Sequence, residues 1–375
     1  MRKGEYKQWI KRRNLKNLKR RTLKKERLKA RKRGYSLHQR KNKTLNEIKF
    51  DNKKKRFPAP EIFSFIENPI QTIEFFDKIL SYISVIRKNK KEIFFDISSI
   101  QRLTIDALMY LIAIVNNISE NYKLKYSFSG NFPQNEKVMR LLKESGFLNY
   151  VKTNKPIINK KVNENIQIRN GYNSNTDTVK SIIDFLVEKS SLKITEFSDL
   201  YEICIELMSN TFHHAYNNNS ILAKVWYLFV EREGNIVKLS FIDVGNGITN
   251  TIRKKFSERI KLLGLTEDSK YIMSALKGEF RSRTNLKYRN KGLPTVYKYA
   301  KKEEVRRLEI ISEKGIYKIN ENGEELLEDL ETPLQGTLYY WEIDLNRLEG
   351  DKYDRNKNIW WFFKYTRRKI YRRRT

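Results

Sequence analysis

Apolar residues recur along the chain in short blocks, and the spacing within each block predicts a helix or a strand. Residues 91–97, which include the apolar run 93–95, predict a buried strand, and residues 104–118 have the spacing of an apolar helix. Residues 124–128 alternate between apolar and polar side chains, which is typical of a strand. Residues 136–144 predict a second helix, with Gly146 placed to end it. This order of strand, helix, strand and helix indicates a small α/β domain.

Polar stretches divide the chain into regions. The prolines of the segment Phe57–Pro60 stop any helix that comes before them, so a first domain is expected at 57–155. Residues 156–194 form a linker rich in Asn and Lys, followed by a helix predicted at 179–188. Residues 195–345 alternate again between helix and strand patterns, which indicates a second α/β domain. Residues 346–375 form a basic, aromatic extension.

The net charge of +33 is concentrated at the two ends of the chain. Residues 1–56 contain 25 Lys and Arg against four Asp and Glu, a net charge of +21. Residues 364–375 contain seven basic residues and no acid, whereas residues 57–363 carry only +5. Residues 1–56 also lack a continuous apolar face, so we expect a tail that is disordered in isolation or helical on a partner.

The composition also excludes several classes of protein. A single cysteine, Cys204, permits no internal disulfide and, with three histidines, makes an ordinary zinc site improbable. The sequence has no uninterrupted apolar run of about 18 residues, so no transmembrane segment is expected. The N-terminus is charged and has no apolar signal segment, which favours a cytoplasmic location.

Three separated blocks carry the candidate chemistry. In the first, Glu206, Asn210 and His214 follow one another at four-residue intervals and share one side of a predicted helix. The Asn210 oxygen is a suitable Mg²⁺ ligand, and the Glu206 carboxylate can orient or deprotonate a water molecule. A plain amphipathic helix with a polar face explains the same spacing.

In the second block, an apolar strand runs directly into Asp243-x-Gly245-x-Gly247. The glycines allow a tight turn close to a ligand, and a carboxylate at a strand end can accept a hydrogen bond from an adenine amine. The alternative is a hairpin turn, for which Asn followed by Gly is a common signal.

In the third block, Lys291, Gly292 and Pro294 begin a predicted helix whose free N–H groups suit phosphate. A further pair, Gly336–Thr337, opens the final predicted strand, residues 338–343.

In their order and spacing these blocks resemble the N, G1, G2 and G3 boxes of the GHKL ATPase family, which includes DNA gyrase and histidine kinases. The resemblance covers residues 195–345. It implies the Bergerat ATP-binding fold, a two-layer α+β sandwich, with ATP and Mg²⁺ as cofactors. It assigns one role to each matching residue: general base to Glu206, Mg²⁺ ligand to Asn210, adenine contacts to Asp243 and Thr337, pocket lining to Gly245 and Gly247, and phosphate contacts to Lys291 and Gly292.

The resemblance also implies a mobile ATP lid at residues 249–290, where Arg281, Arg283 and Lys287 would fold over the phosphates. The chain departs from the family at Pro294, where the G2 box usually has a glycine. This departure puts the rate of turnover in doubt more than binding.

The first domain resembles a STAS domain, the anti-anti-sigma-factor fold, in its order of elements and in residues 141–147. In that family a Ser or Thr before the helix is phosphorylated, and the counterpart here is Thr104. The sequence favours the alternative, in which Thr104 is an ordinary helix N-cap.

The preferred hypothesis is an Mg²⁺-ATP-dependent regulatory switch, with slow ATPase activity, coupled to the STAS-like domain. The first alternative is a Ser/Thr kinase of the anti-sigma type, acting on a STAS partner or on Thr104. The second is a nucleic-acid-binding module in which ATP is a structural ligand. Histidine autophosphorylation is improbable, because the histidines lie in the basic tail and in the N box, at His38, His213 and His214.

The tails suggest the partners. Residues 1–56 and 364–375 interleave basic and aromatic side chains, which favours nucleic acid over an anionic membrane as their ligand. A protein partner for the STAS-like domain and a homodimer are also expected. The sequence does not identify the physiological signal.

Overall fold

The computed structural model describes residues 54–89, 92–122, 128–151, 168–190, 192–213, 225–280 and 292–348. Among the described residues, those from Arg56 to Leu348 form one compact unit. Within the described ranges, no helix combines the length and the apolar character needed to cross a membrane.

The N-terminal part of the compact unit contains two small sheets and three helices. Its strands form a three-stranded sheet in the order β1-β3-β5, with β3 and β5 parallel, and a parallel pair of β2 and β4. The elements are β1 (Lys54–Pro58), β2 (Ile62–Phe63), α1 (Pro69–Asn89), β3 (Glu92–Asp96), β4 (Arg102–Leu103), α2 (Ile105–Tyr122), β5 (Phe128–Gly130) and α3 (Glu136–Glu144).

The C-terminal part is built on one five-stranded sheet in the order β6-β7-β8-β10-β9, in which neighbouring strands are antiparallel. Its elements are β6 (Arg169–Gly171), α4 (Thr176–Glu188), α5 (Ser198–His213), β7 (Trp226–Glu233), β8 (Ile236–Asp243), α6 (Ile248–Lys255), α7 (Ser257–Leu263), α8 (Asp268–Leu276), α9 (Gly292–Ala300), β9 (Val305–Ile319), β10 (Glu325–Asp344) and α10 (Leu345–Leu348).

Both faces of the five-stranded sheet are buried. Successive side chains of a strand point to opposite faces. On the face that we call the helix face, Phe241, Tyr339 and Trp341 join a core with α4, α5, α8 and α9. On the opposite face, Ile242 and Leu338 join a second core with α1 and α2. The second core is therefore shared by the N-terminal elements and the sheet.

The sequence pattern predicts several of these elements, among them β3, α2, α3 and α4, but it does not predict α1 or β7. The strand predicted at 124–128 falls largely on residues outside the described ranges. The predicted helix at 136–144 is confirmed, and its ends follow the expected chemistry. The Asn135 side chain accepts hydrogen bonds from the backbone N–H groups of the first turn, and Gly146 follows the helix with a left-handed φ of 76°. The chain is thus a mixed α/β protein with parallel and antiparallel strands, as predicted at the level of fold class.

Candidate functional site

The end of β8 holds a buried carboxylate. Asp243 is the last residue of the strand, and its side chain is 6% exposed. Its Oδ1 accepts a hydrogen bond of 2.9 Å from the backbone N–H of Gly245, while Oδ2 receives no hydrogen bond within the described part of the chain. Burial raises the pKa of Asp243 to about 7, against the lowering effect of the Gly245 N–H. A buried acid with one unused oxygen suits a hydrogen-bond donor on a ligand.

Three polar side chains form a row across the helix face at this point. Thr337 on β10 lies opposite Asp243 on β8, and Ser312 on β9 lies opposite Thr337. The Ser312 hydroxyl donates to the carbonyl of Gly336 at 3.0 Å and accepts from the N–H of Ile248 at 2.8 Å. It therefore ties the start of α6 to the irregular part of β10 directly before Thr337. Sequence reasoning missed Ser312, because a single serine in an apolar strand forms no motif.

Two glycines of the predicted boxes are required by their surroundings. Gly336 has a φ of 96°, and a Cβ on it would overlap the carbonyl oxygen of Asp243. Gly247 has a φ of 74°, and a Cβ on it would lie 2.8 Å from the Ser312 hydroxyl. The turn after β8 and the irregular part of β10 thus pack backbone against backbone, which only glycine allows at these two positions. Because the chain leaves β8 at Asp243 and enters α6 directly after Gly247, the alternative of a hairpin turn at this position is wrong.

The residues of the predicted N and G2 boxes meet at the start of α9. Gly292 is the first residue of α9, which packs beside α5. A Cβ on Gly292 would lie 3.4 Å from Oε1 of Glu206 and 3.3 to 3.5 Å from the amide group of Asn210. Residues about 80 positions apart in sequence therefore form one polar cluster, in which the helix N-terminus adjoins a carboxylate and an amide.

This cluster lies on the same side of the sheet as Asp243. Helix α5 buries Leu207 and Met208 in the core of the helix face, toward which Asp243 and Thr337 also project. The arrangement places a hydrogen-bond acceptor at the sheet and the N-terminus of a helix within one layer. These groups suit the two ends of a nucleotide.

The predicted lid is wrong in part. Residues 249–290 include α8, whose side chains Tyr271, Ile272 and Leu276 are buried in the core of the helix face. A segment packed in this way is not a mobile lid. Arg281, Arg283, Lys287 and Lys291 lie outside the described residues, as do His214, residues 1–53 and residues 349–375. Residues 54–56 of the predicted basic tail belong to β1.

Thr104 immediately precedes α2, the position of a helix N-cap. Its hydroxyl oxygen is buried. Asp106, two residues later, is 1% exposed, and burial raises its pKa to about 6. Phosphorylation of Thr104 would require this corner to open, and would add negative charge beside a buried acid.

A small cavity lies on the opposite face of the sheet, away from the polar row. Neutral side chains dominate its lining: Ala113, Asn116, Asn117, Asn170, Tyr172, Val225, Tyr227 and Val244. Val244 follows Asp243 but points to the other side of the sheet. This cavity is therefore separate from the predicted nucleotide site.

Comparisons with protein-family models and with curated proteins find no match to this chain. The class of protein must therefore be argued from its own residues and their arrangement.

Proposed function

We propose that the chain is an Mg²⁺-ATP-dependent regulatory protein of the GHKL type, whose nucleotide site lies on the helix face of the five-stranded sheet. The observation that carries this proposal is the cluster of Glu206, Asn210 and Gly292 on the same side of the sheet as Asp243 and Thr337. Residues of boxes that are far apart in sequence thus lie in two groups. Glu206, Asn210 and Gly292 form one group, and Asp243 and Thr337 form the other. The resemblance predicts both groups.

The residues at the strand ends suit an adenine ring. The exocyclic amine of adenine is a donor, and Asp243 offers a buried carboxylate oxygen that receives no hydrogen bond within the described residues. The Thr337 hydroxyl lies on the neighbouring strand and on the same face. Gly245 and Gly247 keep the adjoining loop free of side chains.

The residues at the start of α9 suit the phosphates. The first N–H groups of a helix have no intrahelical partner and attract anions, and Gly292 lets this backbone come close to α5. The Asn210 oxygen would hold Mg²⁺, and the Glu206 carboxylate would orient and deprotonate an attacking water. When bound, Mg²⁺-ATP would supply the phosphoanhydride bond whose cleavage resets the switch.

The STAS-like region and the tails complete the proposal. Helices α1 and α2 cover the second face of the nucleotide-binding sheet, so a change at the site has a direct route to them. The basic tails, of which the structure describes only residues 54–56, would hold the protein on nucleic acid. The buried hydroxyl of Thr104 favours a switch over a kinase that acts on its own Thr104.

Equilibrium binding of a fluorescent ATP analogue, with and without Mg²⁺, tests the proposal. Asp243→Asn should weaken binding by at least about tenfold, since it replaces the acceptor oxygen that faces the amine with a donor group. Asp106→Asn is the matched control, because Asp106 is an equally buried carboxyl on the opposite side of the sheet. If the wild-type chain binds no nucleotide, or if both variants bind like wild type, the proposed site is wrong.

Turnover with γ-labelled ATP distinguishes the switch from its alternatives. Glu206→Gln should abolish phosphate release while leaving binding nearly unchanged, since the amide cannot accept a proton. Label transferred to protein would favour a kinase. Binding with no turnover in the wild-type chain would favour a structural role for ATP.

A further inference from the structure

The tip of the β9–β10 hairpin is rich in acidic residues, three of which form ion pairs within the chain, and it carries exposed leucines. Residues 321–331 contain six acidic residues and no Lys or Arg, in a chain whose net charge is +33. Leu326 and Leu327 in this segment are 53% and 38% exposed. We call this segment the acidic hairpin patch; its charged residues are Glu321, Glu324, Glu325, Glu328, Asp329 and Glu331.

A second exposed segment has the opposite charge and the same apolar character. Residues 253–263 contain five basic residues and one acid, and they end in Leu262 and Leu263, which are 85% and 37% exposed. Helix α7, within this segment, buries no residue. A seven-residue helix has little stability of its own and gains it by packing. We call this segment the basic helix patch; its cations are Arg253, Lys254, Lys255, Arg259 and Lys261.

The two patches adjoin the same point of the fold. Asp329 of the acidic hairpin patch accepts hydrogen bonds from the N–H and hydroxyl of Ser269, at 3.2 and 2.6 Å, and Ser269 lies at the start of α8. Only residues 264–267 separate the basic helix patch from the start of α8. The patches are thus neighbours on one side of the molecule. The leucines of both remain exposed, so neither patch covers the other within one chain.

We infer that these patches form a dimer interface, in which the basic helix patch of each copy packs on the acidic hairpin patch of the other. A two-fold axis near the start of α8 would make both contacts at once, as a closed dimer requires. Opposite charges would be brought together, and Leu262 of one copy would be buried with Leu326 of the other, the more exposed leucine of each patch.

Pairing between two copies of the acidic hairpin patch is disfavoured. Strand β8 pairs with β10 along Thr337–Asp344, so in the described residues the earlier part of β10 has no strand on that side. Such a free edge invites another strand, but acidic side chains on both copies would repel. The edge therefore suits a basic surface.

Charges are available for the contact on both patches. Arg259 and Lys261 form no ion pair within the described part of the chain, and neither do Glu324 and Glu331. Reversing these four charges therefore breaks no described salt bridge.

The test is sedimentation equilibrium of the full chain, freed of nucleic acid by nuclease, up to about 100 µM. One variant reverses the basic patch, with Arg259→Glu and Lys261→Glu. A second reverses the acidic patch, with Glu324→Lys and Glu331→Lys. The third combines all four changes. Lys137→Glu with Lys143→Glu, on the exposed face of α3, is the control for charge reversal elsewhere on a helix.

We expect the wild-type chain and the control to dimerise alike. Each single-patch variant should dimerise at least about tenfold more weakly, and the combined variant should recover most of the loss, because the opposite charges are restored. Leu262→Ser, at a side chain too exposed to affect folding, should also weaken the dimer. A wild-type chain that remains monomeric would overturn the inference. So would a combined variant that stays weak, or a loss confined to the acidic-patch variant, which would indicate a different basic occupant.

Discussion

The hydroxyl of Tyr110 donates a 2.8 Å hydrogen bond to the carbonyl of Gln335, the residue directly before the Gly336–Thr337 pair. Tyr110 lies on α2 and is fully buried, with its ring packed edge-on against Phe76. The region that resembles a STAS domain therefore contacts the backbone of the candidate nucleotide site directly.

Tyr110→Phe should remove the hydrogen bond to Gln335. The ring packing would remain, but the Gln335 carbonyl would lose its donor, at a cost of about 1 kcal/mol in unfolding free energy. If the segment of β10 at Gln335 positions Thr337 for a nucleotide, ATP affinity should fall several-fold. Urea unfolding and ATP titration measure the two effects.

Tyr227→Phe is the matched control for that experiment. Its hydroxyl accepts a 3.2 Å hydrogen bond from Asn116, so it also joins α2 to the sheet, but on β7. A similar loss of stability is expected, with ATP affinity unchanged. Equal effects of the two variants on affinity would argue against a specific role for Tyr110.

Gly336→Ala should be among the most damaging small changes in the chain. The alanine would adopt a left-handed φ of 96° and its Cβ would overlap the Asp243 carbonyl. We expect a loss of more than about 2 kcal/mol in unfolding free energy. Gly323→Ala, at a φ of 77° with open space around it, should cost only about 1 kcal/mol. Equal losses in denaturant titrations would mean that close packing at Gly336 is unimportant.

Asp243→Asn should stabilise the protein at alkaline pH. Burial raises the pKa of this carboxyl to about 7, so the folded state holds its proton more tightly than the unfolded state. Its contribution to stability is complete below about pH 4 and is lost as the pH rises through 7. The variant should therefore match the wild type near pH 4 and exceed it at pH 8, on the order of 2 kcal/mol. Unfolding at both pH values checks the sign, and a variant less stable at pH 8 would contradict it.

Glu325→Gln should show the opposite dependence. Glu325 bonds to Lys277, Lys301 and the hydroxyl of Tyr297, at 3.2, 2.9 and 2.7 Å. Burial opposes ionisation, but these three hydrogen bonds outweigh it and lower the pKa from 4.5 to about 2.

The stability from Glu325 is thus present above pH 4.5 and is lost as the pH falls toward 2. At pH 7 the Gln variant should be about 1–3 kcal/mol less stable than the wild type. The gap should narrow steadily between pH 4.5 and 2 in denaturant titrations. A constant gap would show that the charge of Glu325 is not the cause.

Local sequence patterns predict the elements whose apolar spacing is regular, such as the helix at 136–144 and the strand that ends at Asp243. They predict only residues 338–343 of β10, whereas the strand begins at Glu325. Its first residues are mostly charged and show no apolar alternation. They are extended because they pair with β9, as Glu325 does with Ile319. In this part of β10, pairing with β9 therefore overrides the low strand propensity of the sequence.

The candidate site was predictable to the extent that its residues form short motifs. The motifs identify Asp243, Gly292 and Thr337, but not the distances between them. Ser312 and Tyr110 form no motif, because each acts through a partner that is distant in sequence: Tyr110 and Gln335 are 225 positions apart. Such contacts follow from the folded chain alone.

The core shared by α1, α2 and the five-stranded sheet limits how this protein can evolve. A gene fragment encoding the sheet alone would leave the apolar strip of Ile242, Ile311 and Leu338 facing water. The two regions are therefore not interchangeable modules that recombination could shuffle between proteins. They share one core, and a substitution on either side of that core affects the packing of both.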